Sequence, residues 1–558
     1  LMIVGLNWEV AAYLGIFALA FILRFWDLGF RMLHHDESIH AVYSWYLYTG
    51  RGYVHNPTFH GPFLYHINAL IYLLFGTSDY TARMAPAIFG LAMVPLPYLL
   101  RGQLGRTGAV VASFLLAISP SILYYSRSLR HDIFAAFATV LLVVSLWRYV
   151  EDRQPRWLGA AVGALLLTFT NHELSFITAF IFVTFLVFVT AGEWFGLLRA
   201  ERQPLSGEAD FLVLIATVLA PLFAPVVLVP LAQFGIPMVG PQATLAMWCA
   251  FAGLLAMAAI VGCWWNRRIW LYAAAGFYVA AILLFTGFFT NPRGVETGLL
   301  GSLQYWLTQH EVHRGEQPWY YYLLLLPLYE FVPLILGLAG VVYAFFRRNV
   351  FRLFLVYWFF TSLIIYSWAG EKMPWLVVHI TIPLVMLAGL FVGRVIDKVD
   401  WRATFQQGAW YQSLLMCMLI AIVVGLLGLG SPLPPLPTDL EAQRHLLRWL
   451  TYLALLVLIA FLLVKSWSRV GRSLSAGAVA MAAFGVLLPL WVHTSLQVNF
   501  VNGDLSTEML VYVQSSRDVG KVMREIERVG FRTGVGKDLK VPAGLSISQL
   551  LRHRTASA

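Results

Sequence analysis

Apolar stretches of membrane-spanning length recur through almost the whole chain, and that recurrence decides the fold class. A hydrocarbon core about 30 Å thick takes a helix of about 20 apolar residues. On that template about 14 or 15 candidate spans can be placed, starting near residues 8, 82, 108, 133, 157, 174, 211, 243, 269, 321, 352, 376, 409, 449 and 474. Lipid offers the backbone no hydrogen-bond partner, so such segments are read as helices. Composition agrees: 59% hydrophobic and 12% charged residues, with a mean hydropathy of +0.73, leave too little polar surface to coat a soluble body of 558 residues. A soluble enzyme, a disordered chain and a disulfide scaffold are excluded. Cys249, Cys263 and Cys417 lie within or at the edge of apolar spans and show no metal-ligand spacing. The first apolar run, from about Val10 to Phe25, holds its small-x-small triplet Ala18-Leu19-Ala20 inside the run, so it is read as an uncleaved membrane helix. The fold expected is an all-α polytopic membrane protein of about 13–15 transmembrane helices.

The loops divide into two kinds. Seven carry arginines and lysines with little else of note, among them Arg101/Arg106, Arg148/Arg153/Arg156, Arg347/Arg348/Arg352 and Arg394/Lys398/Arg402. The positive-inside rule makes these cytoplasmic. The alternate loops then face outward, and they hold His34-His35-Asp36-Glu37, the run Arg127 to Asp132, Asn171-His172-Glu173, the stretch 291–320 and Gly370-Glu371-Lys372-Met373-Pro374-Trp375. All the side chains with chemical potential converge on one face. The excess of 38 basic over 28 acidic residues, +10 in all, is scattered and forms no basic helix or run, so no nucleic-acid partner is expected.

Residues 1–496 are read as one transmembrane domain with a first outer loop at about 27–81. Within that loop Gly61 to Phe75 is apolar but short for a span, which suits a helix lying in the interface beside Trp45, Tyr46, Tyr48 and Tyr53. From residue 497 to 558 the composition turns polar and Met509 to Val513 alternates, so a small extracytoplasmic αβ segment is expected there. No internal repeat of the kind common in transporters is evident.

The sharpest chemical signal is Asp36-Glu37, adjacent acids flanked by His34, His35 and His40 in an aromatic loop at membrane level, where uncompensated charge is expensive. Asp132 stands at the outer mouth of another span, after Arg127 and Arg130. His60-Gly61-Pro62-Phe63 makes a turn into the interfacial helix. In this order the motifs resemble the GT-C superfamily of integral-membrane glycosyltransferases, protein O-mannosyltransferases included. Together with Gln317-Pro318-Trp319-Tyr320-Tyr321-Tyr322, Gly370 to Trp375 and Met509 to Val519, they are most similar to the flippase-activity-associated proteins of archaea and bacteria. The resemblance runs over about residues 8 to 535, and the residues after about Lys540 depart from it.

The resemblance implies transfer of a sugar from a polyprenyl phosphate or diphosphate to an extracytoplasmic protein, lipid or glycan, at the plasma membrane. An acceptor hydroxyl or amide needs a carboxylate to take its proton, and the departing lipid phosphate needs cationic support. Asp36 is the expected base, Glu37 orients the acceptor or holds a metal, and Asp132 completes the acidic set. Clustered carboxylates share a proton or bind a cation. Mg²⁺ or Mn²⁺ suits an all-oxygen set, whereas ligands such as His172, Glu173 or His310 would admit Mn²⁺ or Zn²⁺. His310, His313 and Arg314 are candidates for lipid phosphate, or the two histidines for metal. Glu371-Lys372 is either a self-neutralised interfacial pair or a phosphate and acceptor contact, and Trp319 with Tyr320 is either a membrane aromatic belt or a sugar platform. His60 is a candidate substrate contact. The competing function is a lipid-glycan flippase or an accessory protein of glycan export, but that class ordinarily places ionisable groups at mid-membrane, and here the acids sit in loops.

Overall fold

The computed structural model describes residues 7–198, 205–232, 240–309, 316–407, 409–430, 440–467 and 472–535. Among these the chain is helical with no strand, and 11 helices are long and apolar enough to cross a membrane, or 13 if two bent pairs each count as one span. That is a polytopic all-α membrane protein, with fewer clear spans than the hydropathy pattern suggests. The difference has local causes. Pro155–Phe169 is apolar but only 15 residues long, and Arg106–Ile118 turns by 59° at Ser119-Pro120 into Pro120–Ser126. The spans expected from 243 and 269 are one run, Pro241–Phe285, broken at Asn266 where the backbone leaves helical geometry.

The core gathers on Val377–Lys398, which packs between Arg106–Ile118 and Phe331–Phe346. Membrane helices lack a hydrophobic drive toward each other and approach closely through small residues. Here a Cβ on Gly108 would lie 2.9 Å from the Gly389 carbonyl oxygen, and one on Gly389 would lie 2.7 Å from that of Gly108. By contrast Leu440–Trp467 turns Leu447, Val457, Phe461 and Val464 outward and touches mainly Ala409–Leu429. Such an apolar exterior belongs against lipid.

The bundle has two chemically distinct ends. The first helix, Trp8–Phe25, begins at Glu9, which pairs with Arg106 at 2.7 Å in a basic loop. It ends at Arg24, whose guanidinium donates to the carbonyls of Leu116 and Ala117 at 3.0 Å each. Arg127 donates to the carbonyls of Leu23 and Trp26 at 2.8 Å each. Arg31 reaches Ser128 Oγ at 2.6 Å and the Gly503 carbonyl at 3.2 Å. Arg24 and Arg127 thus pin helix ends through backbone oxygens.

Beyond this end lie His35–Tyr48 and Phe63–Phe75, with Leu70, Leu73, Leu74 and Phe75 exposed along the latter. The segment after Val501 departs from expectation, because residues 497–535 contain no strand. Its alternating stretch is bound by side chains and a helix terminus instead of a partner strand: Tyr329 Oη accepts from the Met509 amide at 2.7 Å, Tyr125 Oη donates to the Leu510 carbonyl at 2.9 Å, and the His35 amide donates to the Val513 carbonyl at 3.1 Å. The chain then forms the helix Arg517–Arg532.

Candidate active site

His34 precedes the first turn of His35–Tyr48, and Glu37 sits at the third position, where a glutamate reaches back to a free amide. Glu37 Oε2 accepts the His34 amide at 3.0 Å and Arg83 Nη2 at 2.7 Å; Oε1 accepts Arg83 Nε at 2.8 Å and the Leu129 amide at 2.8 Å. The pair is buried on both sides, 2% and 0% exposed. Burial alone would raise the Glu37 carboxyl, but the Arg83 charge and its hydrogen bonds override it and hold the group well below the usual carboxylate range. With four donors on two oxygens, Glu37 has no capacity left for an acceptor or a metal. It is the post on which the first outer loop is fixed.

Asp36, one residue earlier, points the other way and remains 29% exposed at its side chain. Arg130 Nη1 donates to its Oδ2, and Arg130 Nε approaches Asp132 Oδ2 at 3.4 Å. Asp132 itself is fully buried. The guanidinium lies 3.3 Å from the Trp375 ring centroid, and Trp375 meets Tyr512 edge-on at 5.7 Å. Burial would lower Arg130, but Asp132 and Asp36 outweigh it and keep it charged. His34, Tyr125, Leu510 and Tyr512 enclose the recess over Asp36. One side chain therefore bridges the two acids expected to share a metal. Arg130 thus serves Asp36 and Asp132 as a shared counter-charge, while Glu37 is occupied by Arg83. Arg130→Ala, which strips buried Asp132 of this cation, is expected to cost about 3–5 kcal/mol in denaturation measurements. Arg130→Lys is expected to recover only part, since an ammonium cannot span both carboxylates and stack on Trp375.

A second cluster lies at the neighbouring turn. His60 adopts a left-handed φ of 65°, and Gly61 follows it directly onto the Thr170-Asn171 backbone. The Gly61 amide donates to the Asn171 carbonyl at 3.0 Å and the Phe63 amide to the Thr170 carbonyl at 2.8 Å. A Cβ on Gly61 would sit 2.2 Å from the Thr170 oxygen. This docking brings His60 Nδ1 to Glu173 Oε2 at 2.6 Å and stacks its ring on His172 with centroids 4.1 Å apart. Burial pushes His60 down, but Glu173 more than compensates and raises it. Burial pushes His172 and His131 well below the usual histidine range, helped by neighbouring imidazoles.

Of the other expected residues, Lys372 donates to the Ala369 carbonyl at 2.8 Å and, like Glu371, is half-buried. Trp319 and Tyr320 are exposed, 5.7 Å apart, and do not line the Asp36 recess. His310, His313 and Arg314 lie outside the described residues. Sequence reasoning gave Trp375 and Tyr512 no role and passed over His131. The available signal for the last was its place in the run Arg127 to Asp132, which the loop pattern puts on the acid-bearing face.

Residues 59–228 match the protein family described as dolichyl-phosphate-mannose-protein mannosyltransferase. That stretch contains His60, Arg130, Asp132 and Glu173, while Asp36 precedes it. The protein named "Putative mannosyltransferase YkcB" of Bacillus subtilis (strain 168) is 28% identical over 114 residues, which are 20% of this chain and 16% of that one. Among solved structures, ArnT from Cupriavidus metallidurans bound to undecaprenyl phosphate is 17% identical, over 87% of this chain and 78% of that one, with a TM-score of 0.47. AglB, the archaeal oligosaccharyltransferase from Archaeoglobus fulgidus in complex with an inhibitory peptide and a dolichol-phosphate, is 16% identical over 84% and 56% of the respective chains, with a TM-score of 0.47. The family match and the helical membrane fold agree with the glycosyltransferase resemblance carried by the motifs.

Proposed function

We propose that the chain transfers a sugar from a polyprenyl-phosphate donor to an acceptor on the outer face of the plasma membrane, with Asp36 as the base. One observation carries the assignment: of the three acids expected to act together, only Asp36 keeps its carboxylate open, at 29% side-chain exposure against 2% for Glu37 and 0% for Asp132. In the proposed step an acceptor hydroxyl or amide attacks the anomeric carbon and its proton passes to Asp36. The bond from that carbon to the phosphate oxygen breaks, and the lipid phosphate leaves with the electron pair. Arg130 aligns the Asp36 carboxylate from below. Lys372, three residues from Trp375 and so within about 10 Å of it along the chain, is the proposed phosphate contact, where an ammonium stabilises charge as it develops. Arg101 and Arg106, which meet Glu9 at the start of the first helix and so at the opposite end of the bundle, support the outward orientation.

Purified protein in proteoliposomes, given a radiolabelled short-chain polyprenyl-phosphate mannose, tests the reading. Cleavage of label from the lipid, into acceptor or water, is expected. Movement of intact labelled lipid between leaflets without cleavage would replace the transferase by the exporter reading.

A further inference from the structure

The helix Arg517–Arg532 follows the last described span and takes no part in the proposed transfer step. At about 100° per residue, Val519, Val522, Met523, Ile526 and Val529 fall within an arc of about 120°. Lys521, Arg524, Arg528 and Arg532 fall within about 80° on the opposite side. A helix of a soluble domain turns such a stripe into a core. This one does not: Val519 is 49% exposed, Met523 51% and Val529 37%, and Val522 and Ile526 are only half-buried. Phe531, outside the arc, is exposed as well.

What the helix does touch places it beside the lipid-facing rim. Gly520 rests on Met32, where an added Cβ would lie 2.5 Å from the Met32 sulfur. Burial raises the Asp79 carboxyl, Arg83 opposes the rise, and Glu37 and Glu527 add to it, so the helix also passes near Asp79. Around Met32 and Asp79 the chain leaves Trp26, Phe75 and Tyr80 exposed. Aromatic side chains exposed beside a spanning helix mark the boundary between water and lipid. The uncovered stripe thus continues an apolar surface that already meets lipid. Over Arg517–Arg532 five basic residues stand against three acidic ones, a balance that favours phospholipid headgroups.

We propose that Arg517–Arg532 lies flat on the phospholipid leaflet at the Asp36 side of the membrane, with its apolar stripe seated among the headgroups and its basic side turned to water. A helix with this division and low overall hydrophobicity is held at an interface and does not cross it. The consequence reaches the recess. Residues 502–516 run from the last span to this helix without helix or strand, and they carry Leu510 and Tyr512 over Asp36. Seating the helix on lipid fixes the far end of that strap and holds the cover of the recess at headgroup depth. The proposal does not depend on the reaction assigned to Asp36.

The test uses the full chain with Cys249→Ala, Cys263→Ala and Cys417→Ala, in nanodiscs of phosphatidylcholine and phosphatidylglycerol. A nitroxide is attached in turn through Val519→Cys, Met523→Cys, Lys521→Cys and Arg528→Cys, all at exposed positions. Collisions with oxygen, which partitions into lipid, are compared with those of a water-soluble nickel chelate. Relative to nickel, labels at 519 and 523 should meet oxygen several-fold more often than labels at 521 and 528. Equal access of nickel to all four positions would overturn the proposal, because the stripe would then face water. Labels at 519 and 523 shielded from both reagents would overturn it too, since protein, from this chain or a second copy, would then cover the stripe.

Discussion

Glu37→Ala is expected to destabilise the folded protein by about 3–5 kcal/mol, since it strips the buried Arg83 guanidinium of the carboxylate bonded to it. Arg83 is 0% exposed and would keep only carbonyl acceptors, those of Leu28, Arg31 and Met32. The loss also frees the His34 and Leu129 amides, which place the start of His35–Tyr48 and the approach to Arg130. Asp36 should therefore lose its position along with the fold. Denaturation of the variant in nanodiscs measures the cost, and a change under 1 kcal/mol would contradict the role assigned to Glu37. The pH dependence has a definite sign. The folded-state pKa of Glu37 is depressed below the unfolded value of about 4.3, so its contribution is complete above that pH and disappears as pH falls through the folded value. The stability gap between wild type and Glu37→Gln should be constant above about pH 5 and narrow below about pH 4.

Gly61→Ala is expected to cost roughly 2–6 kcal/mol, combining overpacking of about 1–3 with two hydrogen bonds of about 0.5–1.5 each. The added Cβ would meet backbone, the Thr170 oxygen at 2.2 Å and the Asn171 nitrogen at 2.7 Å, and neither can swing aside as a side chain could. The turn must lift, breaking the Gly61 and Phe63 amide bonds to the 170–171 turn and carrying His60 away from Glu173. Hydrogen exchange over residues 57–75 should rise while the far end of the bundle stays protected. Gly159→Ala is the control: it lies in Pro155–Phe169 with open space around its Cβ position, and it should change stability by no more than about 1 kcal/mol.

Hydrophobic spacing made the membrane bundle legible before any coordinates, because spans and loops differ so strongly in composition. The count ran high where a proline or a short helix interrupted a span, as at Pro120 and in Pro155–Phe169; hydropathy sums over such breaks without registering them. The convergence of Asp36, Asp132, His172 and Glu371 onto one end followed from counting loops. Their pairing did not. Asp36 and Glu37 are adjacent and identical in charge, yet helix geometry sends one to Arg83 and the other to Arg130, 46 and 94 residues away. Pattern likewise suggested a strand at Met509 to Val513, where Tyr125, Tyr329 and the His35 amide take the backbone bonds that a neighbouring strand would have made. The docking of Gly61 on Thr170 is a backbone contact, and nothing in the side-chain pattern announces it.

The most direct test of the account compares single-turnover sugar transfer by wild type and Asp36→Asn, with donor binding measured on the same samples. Asparagine keeps the size and the hydrogen-bonding oxygen but cannot take the acceptor proton. The account predicts a loss of at least about 100-fold in turnover, the usual scale for removing a general base, with donor affinity and unfolding temperature little changed. Turnover within a few-fold of wild type would contradict the assignment of Asp36 as the base.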